Sequence, residues 1–328
     1  MHAGKRYGLI EFILWTRWDI YKLIPIALIP TTVYHFSFIK WLAVPWVPVA
    51  LIGTAAAFIL GFKNTQTYAR LWEGRQIFGV IVTASRTWGI MTKDFVKGDR
   101  AIKQQLIRTH LAWLTALRYQ LREPRIWENL TKSYNKEYLK YYTIPERENK
   151  MDDELTKYLS SEDLHYIIGK KNKAAQLITL QSKNISELKQ KGLIEPMEYI
   201  EMEKKLADLL EQQGKCEHLK DFPYPRQFAS INKSFIWLFV FILPFGMLNE
   251  FAKLGDTYVW LNVPFSILVS WVFTSLEKVG ESTENPFEGG VNDVPITALS
   301  RAIEIDLQEM MNESNLPESL QPVNNILM

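Results

Sequence analysis

The sequence predicts an all-α membrane protein with four transmembrane helices per subunit and a helical cytosolic domain. Three observations lead there. Four stretches, Leu23–Ile39, Val44–Phe62, Ser234–Asn249 and Thr257–Leu276, are apolar and, His35 aside, carry no acidic or basic residue. They fall into two pairs joined by short connections, so each pair reads as a helical hairpin. Nearly all of the charge lies between the pairs.

A bilayer core of roughly 30 Å needs about 20 helical residues. The second and fourth stretches meet that length directly; the first and third need flanking residues such as Tyr21, or Phe235 with Phe251. Trp41, Trp46, Trp237, Tyr258, Trp260 and Trp271 crowd the ends, as aromatic residues do at a membrane–water boundary. Lys and Arg near the ends set orientation. Lys22 and its neighbours precede the first stretch, Lys63 and Arg70 follow the second, and Arg226 and Lys233 precede the third; the hairpin tips offer only Lys40 and Lys253. Both termini are therefore expected in the cytosol, in a multi-pass protein of the cell (inner) membrane. The expected organisation is an N-terminal segment with the first hairpin over 1–62, a helical cytosolic domain over 63–233, the second hairpin over 234–276, and a cytosolic segment over 277–328 with a disordered end.

The averages conceal this pattern. Over 328 residues the chain is 47% hydrophobic and 23% charged, and its mean hydropathy of -0.10 is that of a soluble protein. A net charge of +2 leaves no footprint for nucleic acid. The single cysteine, Cys216, excludes an intrachain disulfide, and the five histidines have no metal-ligand spacing. No removable signal peptide is expected, because a basic start, short apolar core and small-residue cleavage site are missing. No nucleophile elbow, phosphate-binding loop or dinucleotide fingerprint appears, so neither an enzyme nor a cofactor is expected.

Within the middle region, Leu155, Leu159, Ile167, Leu177, Ile178 and Leu188 recur at helical spacing along a charged segment. Glu195-Pro196-Met197 reads as a helix start with proline at the first helical position. Leu206, Leu209 and Leu210 continue an apolar face, and Gly214 with Pro223 and Pro225 reads as its end. The second span should run on as a helix through Arg70 and Ala84.

That span has a distinctive face. Gly53, Ala55, Ala56, Ala57 and Gly61 allow close helix approach. Thr54, Phe58 and Phe62 lie four apart and stack on one side over about 12 Å. Around a symmetry axis this face would stack rings of side chains, and an apolar constriction can gate by dewetting. Spacing alone equally allows both phenylalanines to face lipid or a neighbouring helix.

Several segments carry a family resemblance. Phe58-Ile59-Leu60-Gly61-Phe62 followed by Tyr68-Ala69-Arg70 resembles the bestrophin neck helix. Arg17-Trp18-Asp19-Ile20-Tyr21-Lys22-Leu23 is similar to the run leading into that family's first span, and Phe222-Pro223-Tyr224-Pro225 to the run before its third. Glu284-Asn285-Pro286-Phe287 and Asn292-Asp293-Val294-Pro295 resemble the family's N-P-F motif after the fourth span. The match covers nearly the whole chain in order and identifies a prokaryotic bestrophin homologue. The resemblance implies a bestrophin-like pentameric channel, a homo-oligomer in a lipid bilayer, with one axial pore for small monovalent ions, chloride or other anions or else cations. It implies a neck at Thr54, Phe58 and Phe62, and a second, cytosolic aperture at Met197, just after the acidic-Pro pair.

Two departures matter. Animal members follow N-P-F with a run of acidic residues that clasp calcium, whereas Glu288-Gly289-Gly290-Val291-Asn292-Asp293 stands here. Calcium takes six to eight oxygen ligands, so Asn285, Glu288, Asn292 and Asp293 form a degenerate clasp; no bound metal and no calcium gating are expected. Thr54 stands where the family commonly has an aliphatic residue, which shortens the apolar part of the neck. The alternatives are a secondary transporter, which would usually show broken spans and midplane charges, and a membrane-anchored scaffold working through its cytosolic helices.

Overall fold

The computed structural model describes residues 1–37 and 39–328; Phe38, inside the first expected span, lies outside the described residues. The helices in chain order are α1 (Leu9–Phe36), α2 (Trp46–Phe95), α3 (Arg100–Arg122), α4 (Ser133–Tyr138), α5 (Pro145–Glu148), α6 (Met151–Leu155), α7 (Ser161–Ile168), α8 (Lys173–Gln190), α9 (Pro196–Asp221), α10 (Arg226–Ala252), α11 (Asn262–Glu281) and α12 (Ile296–Met310). Short 3-10 turns at Lys40–Leu42 and Asp256–Leu261 sit at the tips of the two hairpins. Two isolated bridges involving Ile326 are the only β-pairing among the described residues.

Three helical stretches, Lys40–Phe95, Arg226–Ala252 and Asp256–Glu281, are long and apolar enough to cross a membrane. α1 differs. It starts a turn or more before the expected first span, carries Arg17, Asp19 and Lys22 inside the helix, and ends at Phe36, so its purely apolar part is shorter than expected.

The spans are packed for an apolar solvent. α11 turns Asn262, Ser266, Ser270 and Thr274 inward at four-residue spacing, all buried, and leaves Phe265, Leu268 and Val272 exposed. The Asn262 amide donates to Thr31 Oγ1 at 2.8 Å and the Ser266 hydroxyl to Asn262 Oδ1 at 2.9 Å. Small and weakly polar side chains let helices approach and bond where lipid offers no hydrophobic drive between them.

The other half is an ordinary water-soluble core. Leu71, Phe78, Ile81 and Trp88 of α2 pack with α3, α8, α9 and α12 in one cluster, which takes up Leu155, Ile167, Leu177, Ile178 and Leu188 as the periodicity requires, with Leu159 at its edge. α9 begins at Pro196, where the Glu195 N–H donates to Glu198 Oε2 at 2.9 Å in a capping box. Of the expected end at Gly214 and the Pro223–Pro225 pair, only the proline part marks it: the helix runs through Gly214 to Asp221. A mid-helix glycine costs only about 1 kcal/mol, and Gln213 and Cys216 beside it are buried. The tail past Met310 is not a free end. It folds back so that Ile326 and Met328 join Leu130, Tyr142 and Ile144 in a small cluster, and the Ala298 N–H donates to Met328 O at 2.6 Å.

His110 of α3 sits fully buried in this core, between Gln181 Oε1 at 3.2 Å and Ser85 Oγ at 2.9 Å. Burial lowers its pKa from 6.5 to about 4. The depressed value means that stability is fully present above the unfolded pKa and is lost as pH falls from about 6.5 towards 4. The loss amounts to about 3 kcal/mol. Melting curves between those pH values should show it in the wild type and lose it in His110→Gln; parallel pH profiles would refute the assignment.

Candidate functional site

α2 holds the site together. At 50 residues and 1.5 Å per residue it is about 75 Å long, and it joins the span region to the far end of the helical domain. One side is buried along its length. Gly53 presses against the Phe239 ring of α10, where an added Cβ would lie 2.6 Å from the ring. Gly74 does the same for the loop after α11: Pro286 lies 2.9 Å and Phe287 3.3 Å from where its Cβ would be. Phe287 is buried and meets the Phe78 ring at 5.9 Å. The Asn285-Pro286-Phe287 motif is thus the wedge that seats this loop against α2.

The opposite side of α2 is largely uncovered among the described residues, with Phe58 and Phe62 bordering a hollow beside Tyr224 and Phe228. Leu51, Phe58, Phe62, Trp72, Val80 and Ile90 are large apolar side chains exposed along it. Thr54, Phe58 and Phe62 are together on this side, as their spacing requires. Phe58 is 67% and Phe62 58% exposed, and their rings meet edge to face at 4.9 Å and 71°. The Thr54 hydroxyl donates to Ala50 O at 2.9 Å, so its proton is committed to its own helix and only its lone pairs remain for water.

Met197 lies far from these three. The Lys97 N–H donates to Leu193 O at 2.8 Å, and Lys97 pairs with Glu195, which puts the start of α9 at the distal end of α2. The other end of α9 returns to Arg70, whose guanidinium donates to Leu219 O at 2.9 Å, Phe222 O at 2.8 Å and Glu284 O at 3.2 Å. Arg70 thereby satisfies the open carbonyls of α9 at the negative end of its dipole. α9 therefore runs antiparallel to the domain half of α2, and Met197, 72% exposed, stands about 50 Å along α2 from Phe62.

The four clasp residues do not converge on one point: Glu288 and Asn292 border a cavity of about 250 Å³ beside Tyr7 and Tyr138, while Asn285 and Asp293 do not line it. Asp293 Oδ2 accepts the Gly289 and Gly290 N–H groups, each at 2.8 Å. Glu288 Oε2 accepts the Asn129 N–H at 2.8 Å and the Asn285 amide at 3.3 Å. Asn292 bonds Ser282 and Tyr7 instead. Burial, reinforced by nearby Asp293, pushes the Glu288 carboxyl well above the usual range. Burial also raises Asp293, against the pull of the Arg122 guanidinium.

Sequence reasoning missed Arg122, which is fully buried and stands where this loop needs a cation. It donates to Phe287 O at 3.0 Å and Val294 O at 3.3 Å, and lies 3.9 Å from Asp293 and 3.8 Å from Glu146. Nothing in an Arg at a helix C-terminus signals this, because such residues usually serve the helix dipole. From its place in the sequence Lys63 marks only the cytosolic side of the second span. It is in fact buried one residue past Phe62, on the other side of α2, and pairs with Glu277 of α11 at 3.2 Å.

A model of the family described as "Bacterial/Fungal Bestrophin protein" matches residues 20–309. The chain is 27% identical over 276 residues to a protein from Escherichia coli called "Voltage-dependent anion channel-forming protein YneE", covering 84% of this chain and 80% of that protein. A Mesorhizobium japonicum protein described as voltage-dependent and anion channel-forming is 23% identical over 267 residues, covering 81% and 75%. A solved bacterial bestrophin homologue from Klebsiella pneumoniae superposes with a TM-score of 0.77 at 22% identity, over 91% of this chain and 99% of that one, so the two share a fold.

Proposed function

Because this chain belongs to the bacterial and fungal bestrophin family, we propose that it forms a homopentameric channel passing small monovalent anions passively across the cell's inner membrane. One observation carries the reading: the largely uncovered face of α2, with Phe58 and Phe62 side by side at its span end. An exposed apolar face of this length marks an interaction surface. Five copies around an axis would bury its flanks and leave Thr54, Phe58 and Phe62 lining a neck, with Met197 at the cytosolic exit. α1, with its Lys and Arg at one end, serves as the first of four spans, an arrangement that keeps both termini and the helical domain in the cytosol.

The anion reading draws support from the names of the curated relatives and from ring chemistry, since aromatic edges carry positive partial charge. Purified protein in planar bilayers under a sodium chloride gradient tests it. Single-channel steps with a reversal potential near that of chloride are expected. A reversal near that of sodium would overturn anion selectivity, and slow, stepless flux would favour a transporter.

Calcium is not the gating ligand in this reading. Asp293 Oδ2 and Glu288 Oε2 are taken up by backbone N–H groups and an amide, Asp293 Oδ1 is buried without a donor, and the Arg122 guanidinium already supplies positive charge beside Asp293. Currents are expected to be unchanged on titration of calcium from chelated to millimolar levels. Strong micromolar activation would sink this.

A further inference from the structure

At the end of the spans nearest the helical domain, α1, α10 and α11 leave a notch of about 400 Å³. Its polar wall holds four ammonium groups, Lys22, Lys132, Lys233 and Lys278, against three carboxylates. Two of the four are used: Lys132 pairs with Glu281 at 2.8 Å and Lys278 with Asp19 at 2.5 Å. The third carboxylate, Glu277, is met by Lys63 from behind. Lys22 and Lys233 have no ion-pair partner among the described residues, and both are exposed. Trp18 and Trp237 also line the notch, and the Lys22 ammonium lies 6.0 Å from the Trp237 ring centre. The notch therefore has surplus positive charge and interfacial aromatics at the depth where spans meet water.

Further into the spans, two of these helices, α1 and α10, form a second hollow of a different kind. Pro25, Ile29 and Val33 of α1 face Phe241 and Phe245 of α10 across an apolar groove of about 340 Å³. From Lys22 to Val33 is about 16 Å of helix, close to half of a bilayer core of roughly 30 Å. A basic notch at the boundary and an apolar groove one leaflet deep share one helix pair. A soluble anion would use only the first, and a neutral lipid only the second.

We propose that this notch and groove bind an anionic phospholipid of the leaflet next to the helical domain, its phosphate between Lys22 and Lys233 and an acyl chain along α1 and α10. The inference rests on the bilayer placement of the spans and not on ion conduction. Native mass spectrometry of the intact oligomer in neutral detergent tests it without any current being measured. Phosphatidylglycerol should bind at least tenfold more tightly than phosphatidylcholine, up to one per chain. Lys22→Gln with Lys233→Gln should abolish that preference, and Lys22→Arg with Lys233→Arg should restore it. Lys40→Gln with Lys253→Gln, at the hairpin tips, should leave it intact. Ile29→Trp, filling the groove, should weaken phosphatidylglycerol binding with the lysines untouched. Equal binding of the two lipids, or an unchanged preference in the double glutamine variant, would overturn the proposal. So would glycerol 3-phosphate or inorganic phosphate competing as well as the lipid, which would make the notch a soluble-anion site.

Discussion

Replacing Phe58 and Phe62 together with alanine should raise unitary conductance or open probability severalfold while leaving assembly intact. Both rings are mostly exposed within the chain, so their removal opens no cavity in its core, and the folding penalty of a buried phenylalanine does not apply. Their proposed role is collective: stacked apolar rings at a narrow point disfavour water, and an ion cannot follow where water does not stay. Alanine at both positions shortens the side chains that close the axis and widens the wet path. Thr54→Val should act in the opposite direction, since it removes the lone pairs that the Ala50-bonded hydroxyl still offers to water. Planar-bilayer recordings of the two variants check this. Unchanged currents in the double alanine variant would move the constriction elsewhere, with Met197 the next position to test.

Arg122→Met is expected to destabilise the protein by about 3–5 kcal/mol, the range for removing one partner of a buried charge pair. The guanidinium is fully buried and shared among two carbonyls and two carboxylates. Without it, Asp293 keeps its burial and loses its counter-charge, Glu146 is left with Arg118 at 3.2 Å, and the loop that seats Pro286 and Phe287 against Gly74 loses its tie to α3. Burial already strains the guanidinium towards a lower pKa, opposed chiefly by Glu146 and then Asp293, which is why a methionine without its carboxylate partners would be the gentler change. Arg122→Met combined with Asp293→Asn should therefore recover part of the loss, whereas Glu146 keeps its pair with Arg118. Melting curves that overlay the wild type for the single variant would show that the cluster is not a structural tie.

Much of the architecture was legible because it depends on local pattern. Three of the four apolar stretches fall within helices long and apolar enough to span, the α2 helix continues past Arg70 and Ala84, and Pro196 opens α9. Each of these follows from side-chain period, charge placement or a backbone constraint that a few neighbouring residues express. The same holds for the shared face of Thr54, Phe58 and Phe62, which helical spacing imposes wherever the helix goes. The failures are of another kind. Gly214 reads as part of a stop because propensity is local, whereas the packing of α9 against α2 and α8 is not. The tail past Met310 looked unstructured because its polar composition hides two side chains, Ile326 and Met328, that find a cluster formed by residues far away in sequence.

A helical membrane protein of two apolar hairpins around a charged helical region, with an aromatic pair on one face of the second span, follows from the order of residues alone. These properties are written in transfer energy and helical period, which each segment carries alone. Packing between distant segments is what sets Arg122 to hold the N-P-F loop, turns Lys63 away from the Phe62 side to meet Glu277, and leaves Lys22 and Lys233 over when the other charges pair. Such outcomes depend on which charges come within a few ångströms after folding. Coulomb energy falls with distance and with the local dielectric, and neither quantity exists until distant segments have packed together.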